Sequence, residues 1–390
     1  MRNACNTGLS AMATSGSIPS RPRPGATIYH LADVRLGGSF PFLGHGAAAH
    51  RRQIRETFER AIDQGLNLAP SVALITGNLF GTQFPSRELT DFAREQIARL
   101  SSRNIPVLIA AGPLDAHYEK HYASGALSDL DRVSIFPTAP KVIDLPDLDM
   151  SVIGASWGAT PVQSDFLSAV AGHRAHQFTV GAAYLELPDS GNGIRTLRRQ
   201  IAASGASYLA LGGSPARRDL SVEKVTAWCP GSPELVGADP GEGSPLLVQL
   251  GGPAPVVTPR PVAKRRYGRY TLQPPDPGTP DDLAAAIRAL ADPNLVAVVH
   301  ITGTTPINQF IDVNDLRTRL SREFLTLEII DETMPNLDPS GGAYPELSVA
   351  GKLIGVARAE MERAVTEEAR RRAGAALRLG LALLEGRRPA

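Results

Sequence analysis

The chain has 390 residues, 43% of them hydrophobic and 20% charged, the balance of a globular protein long enough for roughly two to three domains. Forty Lys and Arg stand against 39 Asp and Glu, so overall charge argues neither for nor against a nucleic-acid partner, and any basic surface must be local. Two cysteines exclude a disulfide framework and a multi-cysteine metal site. No apolar run approaches the roughly 18 residues that cross a bilayer. A cytoplasmic location with no membrane partner is therefore expected.

Residues 1–26, rich in Ser, Gly, Pro and Arg without an apolar stretch, read as a disordered leader. From residue 27 strands and helices alternate. The run IYHLA (28–32) predicts a strand and is followed by Asp33. Residues 50–64 carry Ile54, Phe58, Ala61 and Ile62 at helical spacing. The run VALIT (72–76) predicts a second strand, closed by Gly77 and Asn78. Residues 86–103 predict a second helix, with Leu89, Phe92, Ile97 and Leu100 on one face. The run VLIAA (107–111) is a third strand, which opens into Gly112, Pro113, Leu114 and Asp115. Strand–helix alternation with wholly apolar strands is the mark of an α/β sheet covered on both faces.

Beyond Lys141 the sequence reads as a largely β half, with runs KVIDL, MSVIGAS, FTVGAAYLEL, SYLALGG, KVTAWCPGSP and LLVQL. A basic, Pro-rich linker (253–270) ends in KRRYGRY. Past it, helix 280–290, strand 295–301, helix 313–320 and strand 325–330 predict a small α/β unit within residues 271–335. The remainder, 336–390, is a helical segment whose pattern fits one amphipathic helix or a pair. Its predicted apolar stripe runs through Leu353, Val356, Met361 and Val365, then Leu377, Leu379, Leu381 and Leu384.

Ligands of open α/β sheets gather at the carboxyl ends of the strands. Three such ends are LADVRLG, LITGNLFG and LIAAGPLDAHYE, which present Asp33, Asn78 and Asp115. In this order they resemble the loops ADxHLG, GDLFD and GNHD of the calcineurin-like metallophosphoesterases, and the SbcD/YhaO DNA-repair exonuclease branch most closely. The resemblance continues through MSVIGASWG (150–158), SYLALGGSP (207–215) against YxALGHxH, WCPGSP (228–233) against YPGSP, and VVHITGTTP (298–306) against RLTGRTP. It implies a phosphoesterase sandwich of two central β-sheets flanked by helices (27–252), followed by a small α/β capping domain and a helical C-terminal segment.

The same resemblance implies that catalysis is degenerate here. Active family members hold two Mn²⁺ ions and use them to activate water against a phosphodiester. In this chain Asp33 keeps its place, but the next ligand His is Arg35. The bridging Asp is Asn78. The Asn and His of the third loop are Pro113 and Leu114, the strand-end His is Tyr184, and the paired His of the last loop are Gly213 and Pro215. Asp33 and Asn78 are vestigial metal ligands and Asp115 a residue that oriented a lost His. No catalytic residue and no cofactor is therefore expected. Arg35 is expected to pair with Asp33 and fill the metal position.

Two simpler readings stand beside this one. Asp33, Asn78 and Asp115 are also ordinary turn residues at strand ends. The pairs His117/His121 and His173/His176 are at spacings a metal could use, yet such pairs are more often plain surface. The basic link offers Lys264, Arg265, Arg266, Tyr267 and Arg269 to DNA, against the alternative of a solvated linker. The resemblance adds an SMC-type coiled-coil ATPase and a second copy of the chain as partners. The leading expectation is a non-catalytic, SbcD/YhaO-like DNA-binding or structural subunit in DNA metabolism. The alternatives are an active nuclease with a reduced metal site, and a scaffold unconnected with DNA.

Overall fold

A computed structural model describes residues 25–118, 127–158, 163–234, 243–274, 279–306, 311–336 and 344–384. All but the last two residues of the leader, and the side chains of His117 and His121, lie outside the described residues. Gly25 and Ala26 belong to the fold: Ala26 is buried and its carbonyl accepts from Leu250 N at 2.8 Å.

The first sheet contains β1 (Thr27–Ala32), β2 (Val72–Gly77), β3 (Val107–Ala111), β4 (Val133–Ile135), β11 (Leu246–Gln249) and β12 (Val256–Pro259), in the order β12-β11-β1-β2-β3-β4. The run β1 to β4 is parallel, and β11 and β12 close one edge antiparallel. Every residue of β2 and β3 is buried, as two-sided coverage requires. One face packs on α1 (Ala47–Leu68) and α2 (Arg87–Ser101) through Tyr29, Leu31, Ile54, Phe58, Ile75 and Ile97. Ser86 caps α2 by accepting from Leu89 N.

The second sheet has the order β5-β6-β7-β8-β10-β9, from β5 (Lys141–Leu145), β6 (Met150–Ala155), β7 (Phe178–Tyr184), β8 (Tyr208–Gly212), β9 (Arg218–Asp219) and β10 (Thr226–Cys229). Strands β6, β7, β8 and β10 are parallel, so this half is α/β and not largely β. The crossovers include α3 (Gln163–Gly172) and α4 (Gly191–Ser204), which bury Phe166, Leu167, Val170, Leu197 and Ile201 against the sheet.

Between the sheets lies one apolar layer, with Ile28, Val72, Leu74 and Leu108 facing Met150, Val152, Val180 and Ala210. His30 crosses this layer as its main polar element. One ring nitrogen contacts Tyr208 Oη and the other Thr76 Oγ1, both at 2.9 Å. Burial pushes its pKa down to about 3, so the imidazole is neutral near pH 7.

The capping unit is a parallel sheet β13-β14-β16, made of β13 (Arg266–Leu272), β14 (Leu295–Ile301) and β16 (Thr326–Asp331), with α5 (Pro280–Arg288) and α6 (Val313–Leu320). A small pair joins β15 (Thr304–Pro306) to β17 (Met334–Asn336). The tail is two helices, α7 (Val349–Arg363) and α8 (Glu367–Leu384). They meet through Leu353, Ala357, Leu377 and Leu381, while Val356, Val365, Leu379 and Leu384 of the predicted stripe face outward. Arg378 ties α8 to the cap by bonds to Asp331 Oδ2 at 3.2 Å and Thr333 Oγ1 at 2.5 Å.

Candidate functional site at the sheet ends

Parallel order within each sheet brings the carboxyl ends of β1, β2, β3, β6, β7 and β8 to one place. Asp33 and Arg35 follow β1, and Asn78 follows β2. Pro113, Leu114 and Asp115 follow β3, and Trp157 follows β6. Tyr184 ends β7, and Gly213 to Pro215 follow β8. The loop after β1 runs beside the loop after β2, with Asp33, Arg35, Leu36 and Gly37 donating backbone N–H to Thr76, Asn78, Leu79 and Phe80. All the strand-end positions singled out in the sequence therefore share one site.

Buried hydrogen bonding, and not open coordination, organises the acidic groups. Asp33 Oδ1 accepts from Asn78 N at 3.1 Å and Asn78 Nδ2 at 2.7 Å, and Oδ2 accepts from Gly213 N at 2.8 Å. The Asn78 amide in turn accepts from Leu114 N at 2.8 Å. Asp115 takes Leu79 N and Phe80 N on Oδ2 and Gly81 N on Oδ1, at 2.7, 3.1 and 2.9 Å. Gly77, at φ 82°, lies under the Asp33 carboxylate: a Cβ there would meet Oδ1 at 2.6 Å.

This donor set does not fit a pair of divalent cations. Cations of this class need several oxygen or imidazole ligands with free lone pairs. Oxygens of Asp33, Asn78 and Asp115 are engaged by the chain's own N–H groups, and Asn78 offers a neutral amide where a pair of cations calls for negative charge. Among the described residues no group of three or more His, Cys, Asp or Glu is arranged to hold a metal ion. His173 and His176 lie elsewhere, on the far edge of the second sheet. His176 Nδ1 is 3.2 Å from Asp149 Oδ1, and His173 Nε2 is 3.0 Å from Ser151 Oγ.

The expected Asp33–Arg35 pair is absent: among the described residues no ion pair within 4 Å joins them. The Asp33 oxygens are taken by Asn78 and Gly213 instead. Arg35 acts on Asp33 and on half-buried Tyr184 through its charge alone. Burial raises the pKa of Asp33, partly offset by its backbone hydrogen bonds. Burial likewise pushes Asp115 up to about 7 against the pull of its three N–H donors.

A proton bound more tightly in the folded state stabilises most below the unfolded value, and the gain is lost as pH rises through the folded one. Asp115 is therefore expected to contribute as much as about 4 kcal/mol near pH 4 that disappears by about pH 7. His30 slopes the other way, since the unfolded chain takes a proton below its usual 6.5 that the fold refuses until about 3. The two offset each other in the whole protein. The clean measurement is the stability difference between wild type and Asp115→Asn across pH, which should shrink toward pH 7. A difference that grows with pH would show that the three N–H bonds outweigh burial.

The basic link is less open than its composition implies. Strands β12 and β13 take up half of it. Glu234, with a fully buried side chain, accepts from Lys264 N at 3.0 Å, Arg265 N at 2.9 Å and Thr57 Oγ1 at 2.6 Å. Arg265 donates to Pro293 O and Asn294 Oδ1, and Arg266 is paired with Asp292. Tyr267 packs on the first core. The side chains of Lys264, Arg266 and Arg269 are exposed. Glu234, which organises this segment, is not a candidate that the sequence picks out; its place in a Pro-Glu turn carries no signal of the contact.

A two-sheet α/β sandwich with its loops gathered at the strand ends is the architecture expected from the resemblance in the sequence. No protein-family model matches the chain. The DNA double-strand break repair protein Mre11 of Aeropyrum pernix is 27% identical over 288 residues, which are 65% of this chain and 64% of that protein. The match thus spans less than two thirds of the relative's own length. TT1561 of Thermus thermophilus, a solved structure, aligns with 60% of this chain and 99% of its own, at 12% identity and a TM-score of 0.38. The chain is thus distantly similar to Mre11 over about two thirds of its length. No helix among the described residues is long and apolar enough to cross a membrane.

Proposed function

We propose that this protein is a non-catalytic member of the Mre11/SbcD branch that binds DNA as a structural subunit in DNA metabolism. The observation that supports this reading is the engagement of Asp33, Asn78 and Asp115 by the protein's own N–H groups, with no group of three or more potential metal ligands among the described residues. The relative's name supplies the link to DNA repair, and the exposed Lys264, Arg266 and Arg269 supply local positive charge. The helical hairpin, with Val349, Val356, Leu379 and Leu383 exposed, is the surface offered to a partner such as the coiled-coil ATPase.

The test combines metal content, cleavage and binding on one preparation. Protein purified without chelator is expected to carry far less than one Mn or Zn per chain and to leave linear duplex DNA intact in Mn²⁺. It should bind that DNA with an affinity that falls steeply with salt, and neutralising Lys264 and Arg269 together should weaken binding several-fold. Mn²⁺-dependent cleavage abolished by Asp33→Ala would instead establish the active nuclease. A protein that neither cleaves nor binds DNA would be the scaffold.

A further inference from the structure

Arg35 is costly where it stands and, although its charge acts on Asp33, it makes no ion pair within 4 Å among the described residues. It sits at φ 56°, two residues after Asp33 at φ 48°, in a region that favours Gly and tolerates Asp or Asn. The left-handed turn of Asp33 is explained by the hydrogen bonds of its carboxylate. Arg35 lacks such an explanation. Its backbone N–H reaches Asn78 O, and its carbonyl accepts from Gly38 N, both of which a glycine would do without strain.

Space is also cleared for the side chain. Gly81, at φ 65°, passes so close that a Cβ there would lie 2.9 Å from Arg35 Cβ. Arg35 Nε is buried and meets no hydrogen-bond acceptor among the described residues. Arg260 and Arg265 share a buried Nε without an acceptor, whereas Arg55, Arg60, Arg99, Arg218 and Arg378 each reach a carboxylate within 4.0 Å. Arg35 lies near Tyr184 at the end of β7, and the Tyr184 ring meets the Trp157 ring edge-on with centroids 5.3 Å apart. A fixed cation thus stands beside a phenol and an aromatic wall, at the mouth where six strands end.

We infer that Arg35, with Tyr184 and Trp157 beside it, forms a pocket for a single phosphate group, supplied by the end of a nucleic-acid strand. A planar guanidinium can fork onto two phosphate oxygens through its terminal nitrogens, with the buried Nε holding the side chain's inner end in place. The inference rests on the DNA-binding reading above and gives it a site. It assigns Arg35 to holding phosphate without cleaving it.

Trp157 reports on the site directly, because the chain has only one other tryptophan, Trp228. In a Trp228→Phe background and in EDTA, inorganic phosphate is expected to change Trp157 emission saturably. A 5′-phosphorylated oligonucleotide should bind about tenfold more tightly than its 5′-hydroxyl counterpart. Arg35→Gly should abolish both effects while leaving Tm unchanged or raised, since glycine relieves the left-handed backbone. Arg35→Lys should keep part of the discrimination. No saturable response to phosphate, or an undiminished one in Arg35→Gly, overturns the pocket. DNA binding indifferent to the 5′ phosphate and to Arg35 sinks the pocket and leaves the DNA-binding reading standing. Arg35-dependent binding of inorganic phosphate without any binding of DNA does the reverse, keeping the pocket with free phosphate as its ligand.

Discussion

Asn78→Asp, which restores the acidic residue of the metal-binding pattern, is expected to damage the protein. The new carboxylate would face Asp33 Oδ1 across the 2.7 Å now spanned by an N–H···O bond, in a fully buried position. Two buried carboxylates at that distance share one proton, and the pair's pKa rises by about 2–4 units. At about pH 5 the shared proton restores the contact, and the variant should approach wild type. At about pH 8 the proton is lost, and the variant should be about 3–5 kcal/mol less stable. The raised folded-state value fixes this sign: stability is kept at low pH and lost as pH rises. Urea midpoints at the two pH values, with and without millimolar Mn²⁺, measure it. Full rescue by Mn²⁺ at pH 8 would show that these loops still close on a cation, and the reading of Asn78 as a structural amide would fall.

Glu234→Ala is the second large effect expected. The side chain accepts from Thr57 Oγ1 and from the amides of Lys264 and Arg265, with Arg60 Nη2 4.0 Å away. Removing it leaves the buried Thr57 hydroxyl and two part-buried amides without their acceptor, at about 1–3 kcal/mol for the buried donor and less for each amide that water can reach, so a loss of about 3–5 kcal/mol is expected. The segment it held contains Lys264, Arg265 and Arg266, so limited trypsin digestion should cut there before cutting elsewhere. Glu234→Gln, which keeps one acceptor, should lie between. A midpoint and digestion pattern like those of wild type would mean that the link is held by its strands alone.

The strands are the most legible part of the sequence. β3 and β14 are continuous apolar runs bounded by turn residues, and their bounds coincide with those read from the pattern. α3 and α4 escape that reading for a reason visible in their composition. α4 shows only Ile194, Leu197 and Ile201 among Arg, Asn, Gln and Gly, and α3 is short and rich in small residues. A nearly polar helix beside a sheet gives a weak periodic signal. In the tail, Val356 fits the apolar pattern but stays exposed, because only one stripe of each helix can meet the other, and Val365 falls in the turn between the two helices.

At the site, the residue types are legible and the bonding is not. Sequence spacing shows that Asp33, Asn78 and Asp115 sit at strand ends. It does not show that Asp115 collects the amides of Leu79, Phe80 and Gly81, or that Asn78 serves Asp33 and Leu114 at once. Those contacts join residues 34 to 45 positions apart, and all but the Asn78–Asp33 side-chain bond run through backbone N–H groups, which nearly every residue possesses. The unpaired state of Arg35 is hidden for the same reason: its expected partner is claimed by amides.

Asp33 also joins the two halves of the sandwich, since Oδ1 bonds to the loop after β2 and Oδ2 to Gly213 after β8, 180 residues away. That bridge has an evolutionary consequence. On the non-catalytic reading proposed above, a cation entering this site would compete with the bridge for the Asp33 oxygens, and a variant that gave up the bridge would lose stability before any metal compensated. The joint that secures the sandwich would then stand against the gain of metal chemistry by single substitutions.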